Sequence, residues 1–320
     1  MQTGTDSTHG PFDLDTMIHP DLRPFLDARP RNDWSNLSEI RKGVPRGPAD
    51  PAAAKEVEVS DRIVPAGGTH GLRVRTYRPK SVPGPLPGVL WIHGGGHIAG
   101  SPESSDDLCM KLAREAGCVI VSPDYRLAPE DPYPADIDDC FAALRWMADA
   151  KANGLPVDTG RLALAGASAG GGLAAAAALK ARDSGGPSIR FMMLLYPMLD
   201  CRNDTPSALQ ITDDRVWSHR VNELAWKMYL GGMDGSVPAY ASPSLAEDLS
   251  GLPAAYVLVG QIDAFRDEAI DFARRLLASG VPAELHVVPG AIHGFDRLET
   301  PLSRNAMDEY VRALKNALAN

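Results

Sequence analysis

Cysteine is scarce in this chain: four in 320 residues. Cys109, Cys118, Cys140 and Cys201 lack C-x-x-C or Cys/His ligand spacing, which argues against thiolate metal sites and favours buried free thiols. Long apolar runs are missing as well, and none approaches the ~20 residues of a membrane span. Met1–Gly10 carries neither the basic nor the apolar region of an export leader, so a cytoplasmic protein is expected. Basic clusters are absent too. The 32 Lys and Arg are outnumbered by 41 Asp and Glu, giving a net charge of -9, and they are scattered, which makes nucleic acid and anionic membranes poor partners. No internal repeat or low-complexity tract occurs, apart from an alanine-rich stretch at Ala174–Ala178 that reads as helix propensity.

What is present is apolar content of 44%, enough for one large α/β domain with an accessory element. Residues 1–55, rich in proline and charge, read as a helical arm, with Pro20-Asp-Leu-Arg-Pro-Phe-Leu-Asp27 as a short amphipathic piece. Val57–Val64 and Leu72–Tyr77 alternate apolar and polar residues, as half-solvated strands do. Short apolar runs follow at Gly88–His93, Cys118–Ser122, Leu162–Ala165, Phe191–Tyr196, Ala255–Gly260 and Ala283–Val288. Helical patterns separate or follow them at Asp106–Ala116, Asp136–Ala152, Ser168–Arg182, Arg266–Ser279 and Ser303–Leu318. Strands alternating with helices specify a mostly parallel sheet covered on both faces. The segment 201–250 holds no strand but one helical pattern, Trp217–Leu230, with Val221, Leu224, Ala225 and Met228 on one face. Insertions this long generally serve function, so this segment and the arm are expected to cap a site, and 56–200 with 251–320 to form the main domain.

The chemistry concentrates at Gly166-Ala-Ser-Ala-Gly170, between an apolar strand and a helical run. A strand turning sharply into a helix leaves no room beside the turn, so glycines flank it and Ser168 stands exposed at its tip. Upstream, Pro87-Gly-Val-Leu-Trp-Ile-His-Gly-Gly-Gly96 runs from a strand into glycines whose bare backbone can approach a ligand. A serine hydroxyl needs a base, and the base needs an orienting acid. Of the histidines that follow, His219 falls in the insertion helix and His286 in a strand, whereas His293 lies in a loop beyond the last strand, where parallel sheets carry their sites. Asp263, just past Tyr256–Gly260, fits the acid in chain order; Asp200, after the preceding strand, is its rival. No cofactor or metal is required by this set.

With these residues placed, the chain from about Val57 onward resembles the hormone-sensitive-lipase-like family of α/β hydrolases, the bacterial family IV esterases. The resemblance rests on His93-Gly-Gly-Gly96, Asp124-Tyr-Arg-Leu-Ala-Pro-Glu130 with Tyr133-Pro-Ala135, Gly166-Ala-Ser-Ala-Gly-Gly171, Tyr196-Pro197, Asp263-Ala-Phe-Arg-Asp-Glu268 and His293-Gly-Phe295. It implies an α/β hydrolase fold of about eight strands with a helical cap, and Asp21–Leu26 resembles that family's first cap helix. It further implies Ser168, Asp263 and His293 as a catalytic triad, and the N–H groups of Gly95, Gly96 and Ala169 as an oxyanion hole. The implied activity is hydrolysis of small acyl esters of short to medium chain length; amide or formamide hydrolysis and a non-catalytic receptor are the alternatives, and a homodimer is compatible. Ala167, Ala264 and Phe265 depart from the family pattern, the last two implying a less constrained acid loop. His97, Glu103 and Tyr125 are open between pocket lining and support, and Asp124 and Arg126 are expected to support the oxyanion loop through internal ion pairs or hydrogen bonds.

Overall fold

A computed structural model describes residues 13–29, 37–42, 51–66, 71–233 and 235–319; Met1–Gly10, read above as lacking an export leader, lies outside them. Eight strands form one sheet in the order β1-β2-β4-β3-β5-β6-β7-β8: β1 (Val57–Pro65), β2 (Gly71–Pro79), β3 (Leu86–Ile92), β4 (Val119–Pro123), β5 (Val157–Ala167), β6 (Phe191–Leu195), β7 (Ala254–Ile262) and β8 (Ala283–Ile292). β2 alone runs in the reverse direction to the other seven strands. Every residue of β3, β4 and β6 is buried, the pattern of strands covered on both faces, whereas β1 and β8 lie at the sheet edges and are exposed or half-buried over most of their length.

Eleven α-helices are described: α1 (Leu14–Met17), α2 (Arg23–Asp27), α3 (Leu37–Lys42), α4 (Pro51–Glu56), α5 (Asp106–Ala116), α6 (Ala135–Ala148), α7 (Ala169–Asp183), α8 (Pro206–Gln210), α9 (His219–Leu230), α10 (Arg266–Ala278) and α11 (Pro301–Leu318). On the sheet, α6 packs with α7, and α5 with α11. The start of α11 is fixed by Thr300, whose hydroxyl accepts from the Ser303 N–H, followed by Pro301, a proline where no N–H is needed. In α7 the alanines 174–178 are all buried, so that run serves close packing as well as propensity.

All eight expected strands form, but β5 begins at Val157, where Val157 and Asp158 pair with Leu86 and Pro87, and β8 continues to Ile292, reaching His293 directly. The expected helix to Ala152 ends at Ala148. In α9 the buried face consists of Val221, Asn222, Ala225, Trp226 and Tyr229, rotated from the expected one; Leu224 and Met228 are only partly covered. The rotation arises because Tyr229 stacks on His97 at 3.7 Å and Asn222 joins a polar network with Trp217 and Asn203.

The N-terminal arm is fastened at several points. His19 N–H donates to Gly290 O (2.9 Å), just before His293. Arg215 bridges the arm's Asp15 to Asp213 of the 201–250 segment. From α3, Arg41 donates to Ile98 O (2.8 Å) and Ala128 O (3.1 Å) while pairing with Glu130.

Candidate active site

The turn from β5 into α7 puts Ser168 at φ +58°, a conformation that costs a non-glycine residue free energy and is associated with functional sites. The flanking glycines are sterically required: a Cβ on Gly166 would lie 2.2 Å from Gly170 O, and one on Gly170 2.0 Å from Ile92 O. The serine backbone is held from β6, since its N–H donates to Leu195 O (2.9 Å) and its carbonyl accepts from Met198 N–H (3.0 Å).

Three strand ends converge here. Ser168 Oγ lies 3.0 Å from His293 Nε2, and His293 Nδ1 lies 2.8 Å from Asp263 Oδ2. Asp263 is almost wholly buried, and its other oxygen accepts the Phe265 N–H at 3.0 Å. An Nδ1–H directed at a carboxylate leaves Nε2 as acceptor, the tautomer that can receive the Ser168 proton. The imidazole makes edge-on contacts with the rings of Phe265 (centroids 5.0 Å apart) and Tyr196 (4.9 Å). Asp200 does not join this line; its carboxylate pairs with Arg202 and accepts that residue's own N–H. His219 begins α9, and His286 is occupied by Glu284 at 2.7 Å on β8. The acid loop is firmly held despite its departures from the family pattern, because Ala264 and Phe265 are fully buried and Arg266 N–H bonds to Asp263 O (3.1 Å).

Opposite Ser168, the loop after β3 passes through Gly95 (φ +133°) and Gly96 (φ +62°). The N–H groups of Gly95, Gly96 and Ala169 have no protein acceptor among the described residues. Ala169 is also the first residue of α7, whose amino end favours negative charge. The loop is anchored by His93, which is buried, bonds Gly94 O through Nδ1 (2.9 Å) and is driven down to about 4 by that burial. Tyr125 stacks on His93 at 4.2 Å and donates to its carbonyl at 2.8 Å.

Tyr125 is therefore the residue that braces this loop directly. Asp124 and Arg126 form ion pairs, as expected, Asp124 with Arg73 and Arg126 with the buried Asp139, on either side of it. Glu103 also pairs with Arg73, which holds its carboxyl down at about 2. His97 is a support: it is buried, its Nδ1 lies 2.7 Å from Asp136, and it stacks on Tyr229.

Sequence reasoning passed over Trp217, whose ring would be 2.4 Å from a Cβ on Gly96 and stands 6.1 Å from the His293 ring. Its Nε1 donates to Asn222 Oδ1 at 3.2 Å. An unpatterned aromatic in an insertion gives no local signal of such a position. Among the described residues no group of three or more His, Cys, Asp or Glu side chains is placed to hold a metal, and no helix is long and apolar enough to cross a membrane.

Comparison with known proteins agrees with this geometry. The family model described as alpha/beta hydrolase fold matches residues 89–297. The chain is 39% identical to Esterase LipI of Mycobacterium tuberculosis over 87% of its own length and 88% of that protein. It is 39% identical to Carboxylesterase NlhH of the same organism over 94% of its length and 96% of the relative. The solved structure of a bacterial heroin esterase superposes with a TM-score of 0.90 at 36% identity, covering 96% of this chain and all of that one. Fold, motifs and relatives thus agree that the chain belongs to the alpha/beta hydrolase family, in its hormone-sensitive-lipase-like branch.

Proposed function

We propose that this chain is a serine carboxylesterase in which Ser168 is the nucleophile, His293 the general base and acid, and Asp263 the orienting carboxylate. The observation that carries the residue roles is the hydrogen-bonded line from Asp263 through His293 to Ser168 at a strained strand-to-helix turn. Relatives named for ester hydrolysis favour esters over the amide and receptor alternatives.

As Ser168 Oγ bonds the carbonyl carbon, its proton passes to His293 Nε2, and the resulting imidazolium is stabilised by Asp263. The carbonyl oxygen becomes an oxyanion facing the N–H groups of Gly95, Gly96 and Ala169, where one preset donor supplies about 2.7–4 kcal/mol. When the C–O bond breaks, Nε2 returns the proton to the leaving alkoxide. Water then attacks the acyl-enzyme, gives its proton to His293, and the carboxylic acid departs as Ser168 regains its hydrogen.

The arm and the 201–250 segment act as the cap in this reading, with Trp217 over Gly96 restricting substrates to short and medium acyl chains. Ser168→Ala is expected to reduce p-nitrophenyl butyrate hydrolysis by at least about 10⁴-fold without altering the circular dichroism spectrum. Ordinary turnover by that variant refutes the mechanism. A p-nitrophenyl ester series from acetate to dodecanoate locates the chain length at which activity collapses.

A further inference from the structure

Tyr196 immediately follows β6 and has φ +37°, a left-handed conformation that a bulky aromatic residue adopts only when its surroundings impose it. It is buried, so something inside the protein rewards the strain. Its hydroxyl donates to Asp296 Oδ1 at 2.7 Å, across 100 residues of sequence. Asp296 is itself buried, stands three residues beyond His293 in the same loop, and takes a second hydrogen bond from Tyr310 on α11 at 3.3 Å. Burial pushes its carboxyl upward, and the two phenols act against that shift.

The tyrosine stands between two frames. On one side, the backbone around it holds the nucleophile, through Leu195 O to the Ser168 N–H and Met198 N–H to the Ser168 carbonyl. On the other, its ring meets the His293 imidazole edge-on at 72°, as Phe265 does at 85°, while its hydroxyl grips the loop that carries the histidine. We infer that Tyr196 is a positioning residue: its bond to Asp296 ties the His293 loop to the β6 end that cradles Ser168, and so sets the separation of Oγ and Nε2. A displacement of about 1 Å between reacting groups can cost about a hundredfold in rate, so a single tie at this point has leverage on turnover.

The inference rests on the triad reading above. Tyr310 supplies an internal control, because Tyr310→Phe removes the other hydrogen bond to the same carboxylate without touching the histidine or serine. Steady-state hydrolysis of p-nitrophenyl butyrate is to be measured for Tyr196→Phe, Tyr310→Phe, Asp296→Asn and the double variant Tyr196→Phe/Asp296→Asn, with Ser168→Ala in the same plate and thermal melts on each. Expected are a kcat lowered at least fivefold in Tyr196→Phe with KM changed less than twofold, a double variant no slower than Asp296→Asn, and Tyr310→Phe within twofold of the parent in kcat even if its melting point falls. Normal kcat in Tyr196→Phe, an equal loss in Tyr310→Phe, a change confined to KM, or additive losses in the double variant each overturn the tie. An active Ser168→Ala protein, by contrast, refutes the triad itself.

Discussion

Replacing Asp263 with asparagine is the sharpest test of the catalytic line, because the consequence follows from two hydrogen bonds. One carboxylate oxygen accepts the buried Phe265 N–H at 3.0 Å, and the other faces His293 Nδ1 at 2.8 Å. An asparagine offers one acceptor and one donor. If its oxygen takes the Phe265 N–H, the amide nitrogen must face Nδ1, which then acts as acceptor. The ring proton moves to Nε2, pointing at Ser168, and the base can no longer receive the serine proton. The flipped amide sets its nitrogen against the Phe265 N–H and leaves a buried donor unpaired, at a cost of about 1–3 kcal/mol, so the wrong tautomer is favoured. In the chymotrypsin system the equivalent exchange lowers kcat about 10⁴-fold, about 5.4 kcal/mol of barrier, and the same order is expected here. The assay is p-nitrophenyl butyrate hydrolysis across a concentration range, with KM expected to stay within about threefold, since binding groups are untouched. Asp200→Asn is the matched control: its carboxylate serves Arg202, and kcat should fall less than about threefold. An Asp263→Asn protein retaining a tenth of parental kcat, or an Asp200→Asn protein as damaged as it, refutes the assignment.

Gly170→Ala places a methyl 2.0 Å from Ile92 O and 2.5 Å from His93 O, both backbone atoms, so relief requires α7 to move off β3. A loss of about 3 kcal/mol, the upper end of overpacking, is expected together with loss of turnover, and an unchanged melting temperature contradicts the packing account. Trp217→Ala removes the ring over Gly96 and should raise kcat/KM for p-nitrophenyl octanoate relative to butyrate by about tenfold, the worth of less than two buried methylenes. An unchanged ratio dismisses Trp217 as the length limit. His93, lowered to about 4, stays neutral in the folded state while the unfolded chain takes up a proton below its ordinary value of 6.5. Its contribution is complete above that pH and is lost as pH falls through the window from 6.5 to 4, by about 3 kcal/mol. Urea titrations at successive pH values should show this slope, and its persistence in His93→Asn would assign it to other groups.

The main sheet and the hydrogen-bonded line of Ser168, His293 and Asp263 were legible because each left a local trace. Parallel strands buried on both faces appear as short unbroken apolar runs, and β3, β4 and β6 are buried throughout. Asp263 and His293 directly follow β7 and β8, so chain order and strand ends were enough to find them. What escaped were relations between distant side chains. The bond from Tyr196 to Asp296 joins positions 100 apart, and neither residue breaks a periodic pattern. Helical periodicity placed Val221 and Ala225 correctly in α9, yet ranked Leu224 above Asn222, because hydropathy scores an asparagine as exposed. Asn222 is buried through the amide it gives to Asn203 and the acceptor it gives to Trp217, a satisfied network that no single segment encodes. The same applies to Arg41, a charged residue on the N-terminal arm whose partners Ile98 and Ala128 lie more than 50 residues downstream. Periodicity thus identifies what an element buries against a sheet, while the groups that hold one loop against another are fixed by hydrogen bonding in three dimensions. Near Ser168 such groups include the Tyr196–Asp296 bond, so a substitution as conservative by composition as Tyr196→Phe is expected to lower turnover.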